Sequence, residues 1–271
     1  MIDTISVIIH TFNEEKNILS CIDSAKNLTE RILVIDMNST DKTCESAKEA
    51  GASIETFPYS SYVEPAREFG ISKAKTKWVF LLDADERITK ELAKEITTVI
   101  SSQHSVTRKL KTDNRQLITA YKIPRKNMFG NKQWIKYGGW WPDYQIRLIN
   151  KEYFKSWSKD IHSTPSIEGE TGYLQSPLIH YSHRDLESMV EKTIEFEDVE
   201  SNLLYKASRQ VSTLTFFRKF WGELYRRLIR QLGFLDGEIG IIESIYQAFS
   251  KTITYLYLYE KKNRSSVRSL P

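Results

Sequence analysis

Short apolar runs alternate with amphipathic segments along the first hundred residues. Runs rich in β-branched and aliphatic residues predict four strands, at 6–10, 31–36, 53–57 and 78–82. Asn13 is a cap signal for a helix that ends near residue 27, and residues 38–41 precede a second helix that ends at Gly51. A third helix is predicted at 65–75. This alternation is typical of a parallel, doubly wound α/β sheet.

The pattern changes after Ile100. The polar stretch 101–116 predicts an exposed loop. Shorter strands are predicted at 117–124, 144–150 and 170–181, and helices at 185–208, 213–231 and 237–262. From Asn263 onward we expect a frayed end. The chain therefore divides into an α/β part and a helical C-terminal part.

Charge is spread unevenly along the chain. The 271 residues have a formal net charge of +4. From Tyr205 onward there are 12 lysines and arginines against 5 acidic residues, a balance of +7, which leaves −3 for the rest. A basic tail indicates an anionic partner, such as membrane lipid or nucleic acid.

The predicted C-terminal helices favour the membrane over nucleic acid, because their basic residues accompany a strongly apolar face. Apolar residues recur at helical spacing, at Leu214, Phe217, Trp221, Leu224, Leu228 and Leu232. Arginines 218, 226, 227 and 230 lie mostly elsewhere on the helical wheel. A basic amphipathic helix is typical of a membrane interface. The alternative is that these helices pack on the rest of the chain or form a homodimer contact.

Cysteine usage and the N-terminal pattern indicate a cytoplasmic protein. Cys21 and Cys44 lie in predicted helices without a Cys-x-x-Cys spacing, which fits a reducing compartment. The N-terminus lacks the basic region of a signal peptide, and no apolar stretch reaches the roughly 18 residues of a membrane span. We expect a cytoplasmic protein that could also lie on the inner face of the cell membrane.

The sequence Asp83-Ala84-Asp85 directly follows a predicted buried strand. In extended backbone, alternate side chains point the same way, so both carboxylates should share one face. Two carboxylates repel unless positive charge lies between them, and a hard divalent cation with phosphate ligands would supply it. Asp-x-Asp is also common in loops and caps, but its place after the fourth strand favours a ligand site.

Three segments resemble the family 2 glycosyltransferases, which have the GT-A fold. They are Ser-Val-Ile-Ile-His-Thr-Phe-Asn-Glu-Glu at 6–15, Val-Ile-Asp-Met-Asn-Ser-Thr-Asp-Lys-Thr at 34–43 and Trp-Val-Phe-Leu-Leu-Asp-Ala-Asp-Glu at 78–86. Residues 141–148 and 234–237 resemble one branch, which contains bacterial lipopolysaccharide-core β-1,4-glucosyltransferases. The family resemblance covers about the first 180 residues.

The resemblance implies roles for individual residues. Five match positions that bind the nucleotide-sugar, namely Thr11, Glu14, Asp36, Arg67 and Asp83. Asp85 matches the ligand of a Mg²⁺ or Mn²⁺ ion that bridges the diphosphate, and His162 matches a metal-binding histidine, although it could equally be structural. Met37 stands where many relatives have a second aspartate.

Asp143 matches the region of the family's catalytic carboxylate, and we expect it to be the general base. The alternative is a cap or an ion pair with Arg147. Four nearby residues are expected on the acceptor side or in a lid: Trp140, Trp141, Gln145 and Arg147. The tryptophans follow Gly138-Gly139 and suit stacking on a sugar if they are exposed, or packing in the core if they are not.

The resemblance therefore implies an inverting hexosyltransferase with a GT-A catalytic domain at 1–183, followed by a helical extension at 184–271. The nucleotide-sugar half is expected at about 1–100 and the acceptor half at about 117–183. The expected donor is UDP-glucose or another UDP-sugar, and the acceptor a lipopolysaccharide-core or other lipid-linked glycan. The alternatives are a sugar nucleotidyltransferase, which usually needs a Gly-rich basic phosphate loop after the first strand, and a non-catalytic nucleotide-sugar or membrane-binding module.

Overall fold

The computed structural model describes residues 4–106, 117–130, 133–159, 163–183 and 186–267. The strands in these ranges are β1 (Ile5–Thr11), β2 (Ile32–Asp36), β3 (Ser53–Thr56), β4 (Trp78–Asp83), β5 (Glu86–Ile88), β6 (Ile118–Phe129), β7 (Gln133–Trp134), β8 (Asp143–Asn150), β9 (Phe154–Trp157), β10 (Pro165–Ile167), β11 (Glu170–Tyr173) and β12 (Leu178–His183). The α-helices are α1 (Ile18–Ala25), α2 (Thr43–Glu49), α3 (Glu64–Lys73), α4 (Lys90–Val106), α5 (Leu186–Lys206), α6 (Thr213–Leu224) and α7 (Gly237–Val267).

The first of two compact units comprises Met1–Lys126 and Asp143–His180. Strands β3, β2, β1 and β4 lie side by side in that order and run parallel. Beyond β4 the pairing is mainly antiparallel, because β4 pairs with β8 and β8 pairs with β6 in opposite directions, whereas β11 joins β6 in parallel. The predicted α/β sheet of the GT-A type, followed by a helical C-terminal part, is confirmed.

Alternation along β1 gives the sheet a core on each face. Ile5, Val7 and Ile9 pack with residues of α1 and α4. Ile8 points to the other face and packs with residues of α3 and β9. All four side chains are fully buried. The sheet is therefore covered on both faces, as expected of near-continuous apolar parallel strands.

Helix α3 lies directly against the sheet at Gly70. A Cβ atom there would lie 2.9 Å from Cγ2 of Ile8 and 3.0 Å from Nε2 of His10, so only glycine fits without displacement. This close approach brings the buried Arg67 of α3 over the carboxyl ends of the central strands.

The second compact unit comprises Asn127–Pro142 and Tyr181–Pro271. Helix α7 packs against both α5 and α6. A π-helical turn, Tyr225–Arg230, continues α6, and a 3₁₀ turn, Gly233–Asp236, leads into α7. Within the described ranges, no helix has both the length and the hydropathy of a membrane span.

Three local predictions are wrong. Asn13 does not cap α1, since it has a φ of +51° and the helix begins at Ile18. Residues 101–106 belong to α4 rather than to a loop, and 107–116 lie outside the described residues. Helix α7 continues past Asn263 to Val267, so the predicted fraying does not begin there. The domain bounds at 183 and 184 stay a prediction.

Candidate active site

The carboxyl ends of three neighbouring parallel strands carry the polar residues singled out in the sequence. Thr11 ends β1, Asp36 ends β2 and Asp83 ends β4. Thr11 is the register partner of Asp36, and His10 is the register partner of Asp83. Because parallel strands end at the same edge, these side chains lie at one edge of the sheet, where α/β proteins bind ligands.

Asp36 and Thr11 bring buried oxygen atoms to this edge. Asp36 is 3% exposed, and its Oδ2 accepts a hydrogen bond from the backbone N–H of Ser39 at 3.0 Å. Within the part of the chain that the structure describes, Oδ1 of Asp36 and Oγ1 of Thr11 have no hydrogen-bond partner. A buried polar atom that lacks a partner in the protein is usually hydrogen-bonded by a ligand or an ordered water.

Asp36 also acts on the neighbouring thiol of Cys44. Burial, followed by the hydrogen bond and the negative charge of Asp36, raises the pKa of Cys44 to about 11. The thiol is therefore protonated at neutral pH. Both cysteines are free.

Two loops at this edge are bound to each other by side chains. The Glu14 backbone N–H donates to Oγ1 of Thr43 at 2.8 Å, and the Thr40 backbone N–H donates to Oδ1 of Asn13 at 2.8 Å. The Glu14 carboxylate accepts from Nδ2 of Asn17 at 2.6 Å. Glu14 is thus held beside the ends of β1 and β2.

Two arginines neutralise Asp83. Nη2 of Arg67 lies 2.8 Å from Oδ1 of Asp83, and Nη2 of Arg147 lies 2.6 Å from Oδ2. Burial alone would raise the pKa of Asp83, but the charges of Arg147 and Arg67 hold it well below its usual range. The positive charge that the sequence argument assigned to a metal is therefore supplied at Asp83 by the protein itself.

Glu86 is a fully buried carboxylate that follows Asp85 directly. Its Oε2 accepts from the Asp83 backbone N–H at 3.1 Å, and its Oε1 accepts from Nη2 of Arg147 at 2.5 Å. Nη1 of Arg125 lies 3.5 Å from the same Oε1. Burial opposes the charge of Arg147, yet Asp83 and Glu86 raise its pKa above the ordinary arginine value. Glu86 thus joins Arg147 and Arg125 from two further strands.

Asp143 stands at the start of β8, which lies at the carboxyl end of β4 because the two strands are antiparallel. Its Oδ2 accepts from Nε of Arg125 at 2.8 Å, and Nη2 of Arg125 lies 2.7 Å away. Its Oδ1 accepts from Nε2 of Gln145 at 2.8 Å. The ion-pair partner of Asp143 is Arg125, whereas Arg147 pairs with Asp83 and Glu86.

These residues form one ion cluster, which we define as Asp83, Glu86, Asp143, Arg67, Arg125 and Arg147. Three carboxylates face three guanidinium groups, so the six formal charges cancel. The side chains of Arg67 and Arg147 are 6% and 5% exposed, which places them below the surface. The acceptor role of Arg147 and the nucleotide role of Arg67 stay predictions, and the partners found here are carboxylates.

His10 lies beside the ion cluster and is neutral. Its Nδ1 is 3.4 Å from Nη1 of Arg67. Burial, and then the charge of Arg67, lower the pKa of His10 to about 3. Protonation would add a fourth cation to a buried site, which the surroundings oppose.

Asp85 and His180 form a separate pair at the turn after β4. Nε2 of His180 lies 3.6 Å from Oδ2 of Asp85, with 14% and 17% of their side chains exposed. His180 is brought there by the antiparallel pairing of β12 with β5. A carboxylate oxygen and an imidazole nitrogen are both donors that divalent transition metals accept.

Within the described residues, no group of three or more His, Cys, Asp or Glu side chains converges on one point. Any metal at the Asp85–His180 pair would therefore need further ligands, such as diphosphate oxygens and water, as Mg²⁺ sites usually have. The predicted ligand His162 lies outside the described residues.

The two tryptophans that precede Asp143 belong to the second unit. Trp140 is half-buried beneath the guanidinium of Arg227, at 5.7 Å from the ring centre. Trp141 is half-buried and packs edge-to-face on Trp134 at 5.3 Å. Both rings are therefore neither fully exposed nor fully buried. Their acceptor or lid role stays a prediction.

Sequence reasoning missed three members of the site. Glu86 carried a signal, since it is a third acid within four residues at a strand end. Arg125 carried none, because its place beside Asp143 follows from the pairing of β6 with β8. His180 carried none either, because its approach to Asp85 likewise depends on strand pairing.

The fold and the site together define an α/β protein that carries charged side chains at the carboxyl ends of its parallel strands. The chain belongs to glycosyl transferase family 2, because that family's model matches residues 6–157, more than half of its length. The predicted family is confirmed.

Similar proteins match this chain over different shares of its length. An uncharacterized glycosyltransferase of Rickettsia typhi is 30% identical over 274 residues, covering 96% of this chain and 88% of its own. The lipopolysaccharide core biosynthesis glycosyltransferase LpsC of Rhizobium meliloti is 29% identical over 107 residues, or 38% of this chain and 39% of its own. Among solved structures, S. aureus TarS in complex with UDP-GlcNAc is 14% identical with a TM-score of 0.49, covering 97% of this chain and 92% of its own.

Proposed function

We propose that this protein transfers a hexose, with inversion, from a nucleotide-sugar to a hydroxyl group of a cell-envelope glycan. The donor is UDP-glucose, and the acceptor is a lipopolysaccharide-core or other lipid-linked sugar. Membership of glycosyl transferase family 2 supports transfer from a nucleotide-sugar. The similarity to LpsC supports the acceptor class.

The observation that carries the proposal is the pair of buried oxygens at the ends of β1 and β2. Oδ1 of Asp36 and Oγ1 of Thr11 have no partner among the described residues, and they lie at the edge that carries Asp83. A nucleoside offers N–H and hydroxyl donors that satisfy such acceptors. Asp36 therefore accepts from the base or ribose of the donor.

Asp143 acts as the general base. Arg125 and Gln145 hold both of its carboxylate oxygens, so its orientation is fixed before the acceptor arrives. It takes the proton of the acceptor hydroxyl while that oxygen attacks the anomeric carbon in line with the departing diphosphate. One base and one in-line attack give inversion. The expected contribution is about 10²–10⁴ in rate, or roughly 3–6 kcal/mol.

A divalent cation, Mg²⁺ or Mn²⁺, is held by Asp85, with His180 or His162 as its nitrogen ligand. The Asp85 carboxylate fits either ion, whereas an imidazole ligand such as His180 fits Mn²⁺ better than Mg²⁺, which prefers oxygen. The bound ion supplies positive charge to the diphosphate. The ion cluster has no surplus charge to offer, since its three arginines face three carboxylates.

The proposed location is the cytoplasm, where nucleotide-sugars are available. Cys21 and Cys44 are both free thiols, as a reducing compartment requires.

Donor hydrolysis across UDP-, GDP- and dTDP-sugars, with and without EDTA, tests the proposal. We expect UDP-glucose to be turned over fastest, EDTA to stop the reaction and Mn²⁺ or Mg²⁺ to restore it. Turnover that EDTA does not affect would refute the metal, and no turnover of any nucleotide-sugar, with or without a glycan acceptor, would refute the function.

A further inference from the structure

Exposed apolar surface is concentrated in the second compact unit. Of the 22 large hydrophobic side chains that are exposed in the described part of the chain, 19 belong to this unit. Single exposed apolar residues need no explanation, but a contiguous group of them marks an interaction surface.

Six of these side chains form a continuous stripe on α6 and the turns that follow it. Their spacing is three or four residues, and each is between 43% and 73% exposed. We call this set the α6 stripe: Leu214, Phe217, Trp221, Tyr225, Ile229 and Leu232. Residues three or four apart share one face of a helix, so the stripe from Leu214 to Ile229 runs along a single side, and Leu232 follows in the turn after Arg230.

The α6 stripe is not needed for the core of its own unit. Helix α6 already packs on α7 through a second face, where Phe216 contacts Tyr259 edge-to-face at 6.1 Å and Lys219 lies over the ring of Tyr255 at 4.9 Å. The sequence predicted one apolar face that included Leu224 and Leu228. Both are half-buried, so the helix has an inward apolar face and a separate exposed one.

The charge beside the stripe is positive. Residues 213–232 contain five lysines and arginines and one acid, Glu223. Nε of Arg226 and Nε of Arg227 donate to the Glu223 carboxylate at 3.0 Å and 2.7 Å, so this acid is already neutralised. Arg218, beside Phe217, and Arg230, beside Ile229, are exposed.

We propose that the α6 stripe docks on an anionic lipid surface, with its axis in the plane of the membrane. Phe217, Trp221 and Tyr225 occupy the middle of the stripe, and aromatic rings favour the boundary between head groups and acyl chains. Arg218 and Arg230 meet anionic head groups at its edge. A second copy of this chain fits less well, because a two-fold contact through the stripe would bring the arginines of one copy close to the arginines of the other.

Flotation of the full chain with vesicles tests the proposal. We expect the protein to float with vesicles of phosphatidylcholine and phosphatidylglycerol, to float much less with phosphatidylcholine alone, and to be released by salt. Phe217→Ala with Trp221→Ala should lower the partition coefficient about tenfold or more. Arg218→Gln should lower it about fivefold on anionic vesicles only.

Matched controls change similar residues elsewhere. Leu19, which is 48% exposed on α1, is the control for Leu214. Leu19→Ala should leave flotation unchanged, whereas Leu214→Ala should reduce it. Lys94, exposed on α4, serves the same purpose for Arg218 through Lys94→Gln. Circular dichroism and Tm should match the wild type in every variant, since all these side chains are exposed.

Two outcomes would overturn the proposal. One is wild-type protein that stays at the bottom of the gradient with anionic vesicles. The other is a dimer in analytical ultracentrifugation that Phe217→Ala with Trp221→Ala dissociates, since that result would assign the stripe to a second copy. The assay contains no nucleotide-sugar, so its failure would leave the proposed transfer reaction untouched.

Discussion

Arg125 and Asp143 are register partners on neighbouring antiparallel strands, and Nε of Arg125 donates to Oδ2 of Asp143 at 2.8 Å. The candidate base is therefore oriented by a residue 18 positions earlier in the chain. Nη1 of Arg125 in turn lies 3.5 Å from Oε1 of Glu86. Nη2 of Arg147 contacts both Glu86 and Asp83. The geometry of the proposed base and that of the proposed donor site consequently depend on one buried carboxylate.

Replacing Glu86 by glutamine should destabilise the protein and slow the reaction together. The substitution removes the charge that faces Arg147, and breaking a buried ion pair from one side typically costs about 3–5 kcal/mol. We expect a loss of this order in the free energy of unfolding, measured in urea at pH 7, and a fall in donor turnover at saturating donor.

Glu152 offers the matched control for Glu86. It pairs with Lys77 at 3.0 Å and is 58% exposed, so Glu152→Gln should change the free energy of unfolding by only about 0–1 kcal/mol. Equal losses in the two variants would contradict the role of the ion cluster.

His10 should make the protein less stable as the pH falls from 7 to 5. Its pKa is about 3 in the folded protein, against about 6.5 when unfolded. Between these values the unfolded chain takes up a proton that the folded chain does not, so stability is greatest above the unfolded pKa and falls with the pH. The loss from pH 7 to pH 5 should be about 2 kcal/mol. His10→Gln should remove that part of the slope in urea titrations, and an unchanged slope would show that His10 does not cause it.

Asp85 and His180 should both contribute to Mn²⁺ affinity in the presence of UDP. Even residues that only orient metal ligands typically cost 10–100-fold in affinity when replaced, so Asp85→Asn and His180→Gln should each weaken binding by about tenfold or more. Calorimetry measures this without turnover. Asp23→Asn, at a side chain that is 73% exposed, is the control. Wild-type affinity in His180→Gln would favour His162 as the nitrogen ligand.

Asp236 should stabilise the second unit through the segment that leads to Trp140. Its Oδ2 accepts from the backbone N–H groups of Lys136 and Tyr137 at 2.9 Å and 2.7 Å. Asp236→Ala removes two hydrogen bonds, an exposed one from Lys136 and a part-buried one from Tyr137, at about 0.5–1.5 kcal/mol each. A lower Tm should follow, whereas Glu238→Ala, at an exposed neighbour, should have little effect. Equal Tm values for Asp236→Ala and Glu238→Ala would refute this stabilising role of Asp236.

The strand ends were predictable from the sequence because they follow local rules. An apolar run that meets a polar residue marks the end of a buried parallel strand, as it does at Thr11, Asp36 and Asp83. Neighbouring parallel strands then bring such ends together without any further information.

The partners of these residues were not predictable in the same way. Arg125 and His180 reach the site through antiparallel pairs between segments far apart in sequence, and no periodicity encodes that register. The degree of burial of Trp140 was not predictable for a related reason. Whether Trp140 is exposed depends on Arg227, 87 positions away in the chain, whose guanidinium lies over its ring.

Turnover of UDP-glucose by the wild type and by Asp143→Asn tests the central claim most directly. The amide keeps the shape of the side chain but cannot take the proton of the acceptor hydroxyl. The affinity for the donor, measured by calorimetry, should therefore stay unchanged, while turnover falls by about 10²–10⁴. Turnover that Asp143→Asn leaves at the wild-type rate would contradict the account.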